Sequence, residues 1–187
     1  MNEQELIKGC IRLERSAQKS LYDTFSPKMY ALCCRYVKDP MDAEDVLVTA
    51  FTKILKRIEQ YRCEGSLEGW IKRAVINECL TFLRKKKNMF MTTDIQEADR
   101  EMYTQKNYDP LLVKELFNMI EELPPGYRIV FNMYAIDGYA HKEIAEQLNI
   151  SENTSKSQLS RARVYLQKLL AQRELSTQRI QHDTTTR

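Results

Sequence analysis

The sequence predicts an all-α protein of two small helical domains joined by a flexible acidic linker. Only five glycines and five prolines interrupt its 187 residues. Apolar residues recur at spacings of three and four along most of the chain, which is the helical period. This periodicity fails between residues 88 and 110, where acids outnumber bases. We therefore expect domains at 1–88 and 111–173, the linker at 89–110 and a disordered tail at 174–187.

The first domain is predicted to contain a helix, a break and a second helix between Ser16 and Tyr36, with the break at Ser26-Pro27. Proline is tolerated in the first turn of a new helix. Asp39-Pro40 ends this pair, because the residue before a proline is biased away from the helical region. The next helix is expected from Asp42 to Gln60, with Asp42 as its cap and acids in its first turn.

A loop from Arg62 to Glu68, around Gly65-Ser66, separates this helix from the one predicted at Leu67–Lys87. The side chains expected to face inward on that helix are Trp70, Ile71, Ala74, Val75, Phe82 and Leu83. Arg73, Asn77 and Arg84 follow at offsets of four and seven, so they line up on the opposite face.

The second domain is predicted to open with a helix at Leu111–Leu123 and a second from Pro125 to Ile136, closed by Gly138. The residues expected to be buried on the first helix are Leu112, Leu116, Met119, Ile120 and Leu123. On the second helix Val130, Phe131 and Tyr134 are expected to face inward.

A helix-turn-helix is predicted next. Lys142–Leu148 forms its first helix, Asn149-Ile150 the turn, and Ser151 caps a recognition helix from about Glu152 to Leu170. The outer face of this helix carries hydroxyls, an amide and cations, which are the groups that phosphates and base edges accept. An ordinary helical hairpin is the alternative interpretation of the same pattern.

Charge and cysteine content narrow the function classes. The net charge of +3 is low for a protein that holds DNA unaided, but Arg84–Lys87 is a block of four cations and the recognition helix is basic. Five cysteines and two histidines without a Cys-x-x-Cys pair predict reduced thiols, and neither a zinc site nor another cofactor is expected. No apolar run is long enough to cross a membrane and no leader sequence is evident, so we expect a cytoplasmic protein without membrane insertion.

Two blocks together resemble a known family. Asp42–Lys87 resembles region 2 of the bacterial sigma factors, and Leu123–Leu166 is similar to their region 4. The layout without a substantial third domain resembles the extracytoplasmic-function (ECF) group of the sigma-70 family. This resemblance implies an alternative sigma factor, not an enzyme, that brings core RNA polymerase to −35 and −10 promoter elements and helps to melt the −10 region.

The resemblance also implies site residues in the first domain. The helix beginning near Asp42 would dock on the clamp of the largest polymerase subunit, through Asp42, Glu44, Asp45, Val48, Thr49 and Thr52. The following loop and helix would hold single-stranded −10 DNA, through Glu64, Gly65, Ser66, Trp70, Arg73, Asn77, Arg84 and Lys85. Trp70 could stack on a base, although its register with Ala74 favours a place in the core.

In the second domain the recognition helix would enter the major groove of duplex −35 DNA. The residues implied are Thr154, Ser155, Lys156, Ser157, Gln158, Ser160, Arg161 and Arg163. The sequence departs from the usual family pattern at Val48-Thr49, where Gln-Glu is common, at Ala140, where a capping serine is common, and at Ser155, where a buried valine is common.

Further partners implied by the resemblance are the polymerase flap and an anti-sigma protein that regulates activity. Two other classes remain open from the residues themselves. An autonomous helix-turn-helix regulator would bind duplex DNA as a dimer without polymerase. A helical adaptor would bind only another protein, and would leave the basic block and the recognition face without a use.

Overall fold

The computed structural model describes the backbone of residues 2–86 and 111–185, and the side chains of 2–86 and 116–173. The chain divides into two compact units, residues 1–90 and 91–187, which we call the N-terminal and C-terminal units. The described residues contain helices and no strand, so the all-α prediction is confirmed. The acidic linker predicted at 89–110 and the last cation of the basic block, Lys87, lie outside the described residues.

Within the described residues, the N-terminal unit is a bundle of four α-helices. In chain order they are α1 (Glu3–Ile11), α2 (Arg15–Val37), α3 (Pro40–Lys56) and α4 (Leu67–Lys85), with a 3₁₀ turn at Ile58–Gln60. Helices α2, α3 and α4 pack against one another, and α1 packs on α2. Because α4 is covered by both α2 and α3, it buries more of its circumference than the sequence predicted, including Ile76, Cys79 and Leu80.

The predicted break at Ser26-Pro27 was wrong, because α2 is continuous and carries Pro27 in its interior. An interior proline removes one backbone hydrogen bond and crowds the preceding turn. Burial on both sides of Pro27 offsets this cost, since Leu21, Met29 and Leu32 are all nearly inaccessible to solvent. Tertiary packing therefore overrides the local signal.

The cap of α3 also differs from the prediction. Asp39 is the N-cap, and its side chain accepts hydrogen bonds from the backbone N–H groups of Met41 and Asp42 at 2.9 and 3.1 Å. Pro40 occupies the first turn, where its missing N–H costs nothing. Asp42 lies within the first turn of the helix and pairs with Lys86, which follows α4.

Asp39→Ala is expected to lower the free energy of unfolding of the N-terminal unit by about 1 kcal/mol, because two N–H groups lose their acceptor. The measurement is urea denaturation followed by the fluorescence of Trp70, the one tryptophan of the chain. Glu44→Ala, on the exposed face of the same helix, is the control and should change little. An unchanged midpoint for Asp39→Ala would contradict the assigned cap.

The C-terminal unit contains α5 (Leu111–Glu122), α6 (Pro125–Phe131), a π-helical turn at Asn132–Ile136, α7 (His141–Leu148) and α8 (Glu152–Thr185). Helix α8 packs against both α6 and α7. One cluster of its core joins the end of α5 to α8 and is formed by Met119, Ile120, Leu123, Ala162 and Leu166. Gly138 has the positive φ of +79° expected of the residue that ends the α6 segment.

Two predictions about burial in this unit need correction, because Leu116 is 46% exposed and Tyr134 is 37% exposed. Phe131 faces inward as predicted, half-buried against the core. The core instead takes in Arg128, which donates from Nη1 to the carbonyl oxygen of Glu121 at 3.4 Å, and the wholly buried Asn132. Burial lowers the pKa of Arg128 to about 10. For Tyr134, the wider turn of the π-helical segment at Asn132–Ile136 shifts the face that a regular 3.6-residue period would bury.

Helix α8 runs to Thr185, whereas a disordered tail was expected from residue 174. No glycine or proline occurs between Glu152 and Thr185, so the sequence contains no helix breaker there. The predicted tail residues 186 and 187 lie outside the described residues.

Candidate nucleic-acid interface

The face of α3 opposite its core stripe is open to solvent and mixes acids with apolar and hydroxyl side chains. The exposed residues expected to contact polymerase are Glu44, Asp45, Val48, Thr49 and Thr52. Met41 extends this surface and is 80% exposed. Its offsets of four from Asp45 and seven from Val48 place it on the same face, but it precedes the helix start that was predicted at Asp42. Asp42 is set apart from the others, because its carboxylate is engaged by Lys86 and is only 25% exposed.

The loop before α4 is held by two short-range contacts. The Tyr61 hydroxyl donates to the carbonyl oxygen of Gly65 at 2.8 Å, and the Gly65 backbone has a φ of +88°. A side chain on Gly65 would meet no neighbour within 4 Å, so its backbone angle and not lack of space favours glycine there. Ser66 caps α4, since its Oγ accepts from the Gly69 N–H at 3.1 Å.

The exposed face of α4 carries the residues predicted to meet −10 DNA. Arg73, Asn77 and Arg84 are exposed and in line, as the spacing predicted. Trp70 begins this row and is half-buried, with its ring 5.7 Å from that of Tyr61 at an interplanar angle of 48°. It is therefore neither a full core residue nor a free stacking platform, and its place seven residues before Asn77 puts it on the same face of the helix.

The end of α4 gathers the cations of the basic block. Arg84 donates from Nε to the carbonyl oxygen of Leu80 at 3.2 Å, which anchors an otherwise exposed guanidinium. Lys85 is exposed, whereas the Nζ of Lys86 lies 5.3 Å from the centre of the Phe82 ring and pairs with Asp42. Arg84 and Lys85 are thus more available to an anion than Lys86.

The predicted helix-turn-helix is present. Asn149 adopts left-handed angles (φ 54°, ψ 48°) at the end of α7, and the Ser151 Oγ accepts from the Thr154 N–H at 2.9 Å. Ala140 precedes α7 without a side-chain acceptor, but Glu143 still accepts from the Ala140 N–H at 2.8 Å. Half of a capping box therefore survives the loss of the usual serine.

Ser155 was predicted to contact DNA, and this was wrong. Its side chain is fully buried on the core-facing side of α8, and its Oγ lies 2.9 Å from His141 Nδ1. Gln158 is half-buried, because its amide lies beside Gly126: a Cβ on that glycine would be 3.5 Å from Gln158 Nε2. The hydroxyl of Thr154 is bonded to that of Ser151 at 2.8 Å.

Fewer of the predicted DNA-binding residues of α8 are therefore exposed to solvent than the sequence indicated. The exposed ones are Lys156, Ser157, Ser160, Arg161 and Arg163. Asn153 belongs to the same face and was missed, although its amide matches the chemistry used to select the others. Lys156 pairs with Glu152 at 2.8 Å, so part of its charge is neutralised within the helix.

Charges of both signs meet at the N-terminal ends of α7 and α8. The pKa of Glu152 is lowered first by its hydrogen bond to Lys156 and by the charge of Lys156, and then by His141 and Lys142. Because Glu152 favours its charged form beside these cations, it offsets part of the charge that they offer to a phosphate backbone.

Among the described residues, no group of three or more His, Cys, Asp or Glu side chains could hold a metal ion. No helix in that part of the chain is long and apolar enough to span a bilayer. Three of the cysteines, Cys10, Cys33 and Cys79, are buried, Cys34 is half-buried and Cys63 is exposed.

Two helical units, one with a helix-turn-helix and both with an exposed cationic face, define a DNA-binding protein of transcription. The comparisons agree with this class. The family model for Sigma-70 region 2 matches residues 21–89, and the model for Sigma-70, region 4 matches residues 114–166. The chain belongs to the sigma-70 family, in its ECF group of RNA polymerase sigma factors.

Curated relatives extend over most of the chain. It is 30% identical to the ECF sigma factor SigW of Bacillus subtilis over 177 residues, which cover 88% of this chain and 94% of that protein. It is 23% identical to the ECF sigma-E factor of Escherichia coli K12 over 175 residues, covering 87% and 91%. The match to SigE of Mycolicibacterium smegmatis is 26% over 155 residues, 80% of this chain and 60% of the length of that relative.

Solved structures share the fold. The sigma factor RpoE of Bartonella quintana, in complex with the anti-sigma factor NepR, has a TM-score of 0.56 at 20% identity and covers 82% of this chain and 96% of its own. CnrH, in complex with the cytosolic domain of CnrY, has a TM-score of 0.51 at 17% identity, covering 90% and 97%. The two family models and the match to SigW further show that the protein is an alternative sigma factor, which directs RNA polymerase to promoters and is not an enzyme.

Proposed function

We propose that the three exposed faces divide the work of promoter recognition among them. The face of α3 docks on core polymerase, the face of α4 with its preceding loop holds the −10 strand, and the face of α8 reads the −35 duplex. The observation that carries this proposal is the exposed row Arg73, Asn77 and Arg84 on α4. A helix-turn-helix regulator that acts alone has no need of a second such surface.

Docking through α3 follows from the chemistry of its face. Glu44 and Asp45 are exposed carboxylates beside the exposed Val48, a combination that suits a basic protein surface with apolar patches. Asp42 takes no direct part, because Lys86 already neutralises it. The pair between Asp42 and Lys86 instead links the start of α3 to the end of α4, and so relates the docking face to the −10 face.

Holding an unpaired strand needs phosphate contacts and a group that can read a base edge. Arg73, Arg84 and Lys85 supply cations, and the amide of Asn77 supplies both donors and an acceptor between the two arginines. The half-buried Trp70 offers a partial surface for stacking at the end of the row. The neighbouring loop, with Glu64 and Gly65 exposed, completes a place for an unstacked base.

Reading of the −35 duplex falls to the start of α8. Recognition helices place their N-terminal residues against base edges. Ser157, Ser160 and Arg161 point away from the core there, as does Asn153, whereas Lys156 and Arg163 lie toward one flank and suit phosphates. Arg161 is the group best suited to guanine, because its guanidinium can donate two hydrogen bonds to one base.

Arg161→Ala is expected to weaken binding of the holoenzyme to its −35 duplex by ~1–3 kcal/mol and to relax base preference at one position. Fluorescence anisotropy with a labelled promoter fragment and its single-base variants measures both effects. Lys168→Ala is the matched control, since Lys168 is an exposed cation two turns further along α8. Equal losses on all sequences for Arg161→Ala would make it a phosphate contact and not a reader.

A sigma factor with these faces works where polymerase and chromosome are, so we place it in the cytoplasm, in keeping with the finding on membrane helices. We also propose control by an anti-sigma protein, as the similar sigma factor of Bartonella quintana is bound to one. Exposed apolar side chains on α5, including Leu116 and Phe117, give such a partner a surface to cover.

The test of the whole proposal is gel filtration of the protein with bacterial core RNA polymerase, followed by run-off transcription on genomic fragments. Co-elution with new, discrete transcripts is the expected result, and their start sites define both promoter elements. Binding to duplex DNA as a dimer, without co-elution, would replace the proposal with an autonomous regulator.

A further inference from the structure

The helix-turn-helix contains a hydroxyl where the amphipathic pattern calls for an apolar group. Ser155 lies in the stripe that α8 turns toward the core, one turn before Leu159 and two before Ala162. Its side chain is 0% exposed. A buried hydroxyl without a partner is costly, so this position demands a specific acceptor or donor.

His141, the first residue of α7, supplies that partner. Its Nδ1 lies 2.9 Å from Ser155 Oγ, across 14 residues of sequence. The hydroxyl can donate to an unprotonated Nδ1 or accept from a protonated one, so the bond does not depend on the tautomer. The imidazole is stacked on Tyr134, with centroids 4.4 Å apart and ring planes 19° apart. Two independent contacts therefore fix the ring.

This pair constrains α8 in a way that apolar packing does not. Contacts between Leu159, Leu166 and their neighbours are non-directional and tolerate some rotation of the helix about its axis. A hydrogen bond is directional, and rotating α8 by one residue would turn Ser155 away from His141 by about 100°. The rotation of α8 decides whether Ser157, Ser160 and Arg161 face the groove.

We propose that His141 is a positioning residue for −35 recognition, which sets the rotation of the recognition helix through its bond to Ser155 and its stack on Tyr134. This inference rests on the proposed reading of −35 DNA by α8. It predicts that His141 acts on which bases are preferred, and does so without touching a base.

The experiment compares holoenzymes that carry wild-type protein, His141→Phe, Ser155→Ala, or both substitutions. Phenylalanine keeps a ring that can stack on Tyr134 but removes Nδ1. Each holoenzyme selects from a library of promoter duplexes randomised at −35, and sequencing gives its base preference. Thermal unfolding of each full-length chain is recorded in parallel. Glu146→Ala, an exposed acid on the far part of α7, is the control.

His141→Phe is expected to lower the preference for the selected −35 sequence about tenfold, the scale of one lost buried hydrogen bond, and to lower the unfolding temperature. The double variant should recover the unfolding temperature, because no hydroxyl is left buried without a partner, but not the base preference. A merely structural role would restore both together.

Two results would overturn the inference while leaving the proposed reading by α8 in place. Wild-type base preference in the His141→Phe holoenzyme would show that the bond does not set specificity. Recovery of base preference together with stability in the double variant would reduce His141 to a packing residue. A wild-type holoenzyme with no −35 preference at all would instead overturn the proposed reading by α8, and the inference with it.

Discussion

Reversing both exposed acids of α3, by Glu44→Lys and Asp45→Lys, is expected to abolish co-elution with core polymerase and to weaken the complex at least about a hundredfold. The two carboxylates face solvent on one side of the helix. If they meet a basic clamp surface, the reversal replaces attraction by repulsion, and juxtaposed like charges cost several kcal/mol at an interface. The measurement is competition with the wild-type protein for a limiting amount of core polymerase.

The control for this reversal makes the same change in net charge at a different site in the N-terminal unit. Asp23→Lys with Glu59→Lys alters two exposed acids of the same unit that lie outside the docking face. This variant should compete as well as wild type. Equal loss in both variants would mean that total charge, and not the face of α3, governs binding. The fold should be intact in each, since neither Glu44 nor Asp45 caps a helix or takes part in the core.

Much of the fold could be predicted because its signals are local. The turn at Asn149, the cap at Ser151 and the closing Gly138 each follow from the backbone preference or hydrogen-bonding capacity of one residue. The long apolar stripe of α3 and the alignment of Arg73 with Asn77 need only the helical period. These features do not depend on which other helices each helix packs against.

Most of the wrong or missing predictions concern features that depend on more than one local sequence pattern. Pro27 stays inside α2 because the buried residues around it outweigh one lost hydrogen bond. Asp39 and not Asp42 caps α3, and two neighbouring acids with the same chemistry offer no means of choosing between them before the backbone is known. Helix α1 was not predicted at all, because its nine residues are too few for a clear apolar period.

Ser155 shows the same limit at the site. The family pattern has a buried side chain at this position, but the hydroxyl led to its assignment to the outer face and to a predicted DNA contact. Only the position of His141, brought close by the fold, makes burial of that hydroxyl acceptable. Residue types thus indicate which ligand a surface suits. Whether a given side chain lies on that surface depends on its contacts with residues that are distant in the sequence.

Asn77→Ala is expected to reduce open-complex formation at the −10 element by about ten- to a hundredfold, the scale of one or two lost hydrogen bonds to a base, while binding to core polymerase is unchanged. The amide is exposed between two arginines of α4, so its loss removes the group that we propose to read a base and leaves the cations in place. Alanine favours the helix, so the fold of α4 should not suffer. Permanganate reactivity of unpaired thymines at −10 measures the effect.

The control for Asn77→Ala is Gln4→Ala, which removes another exposed amide of the same unit from α1, far along the chain from the −10 face. It should open promoters normally. A template with a pre-opened −10 bubble separates two roles: if Asn77 captures a base, the variant remains defective on the bubble, because an unpaired base still lacks its partner. Full rescue by the bubble would assign Asn77 to strand separation alone, and loss of polymerase binding would remove it from the −10 face.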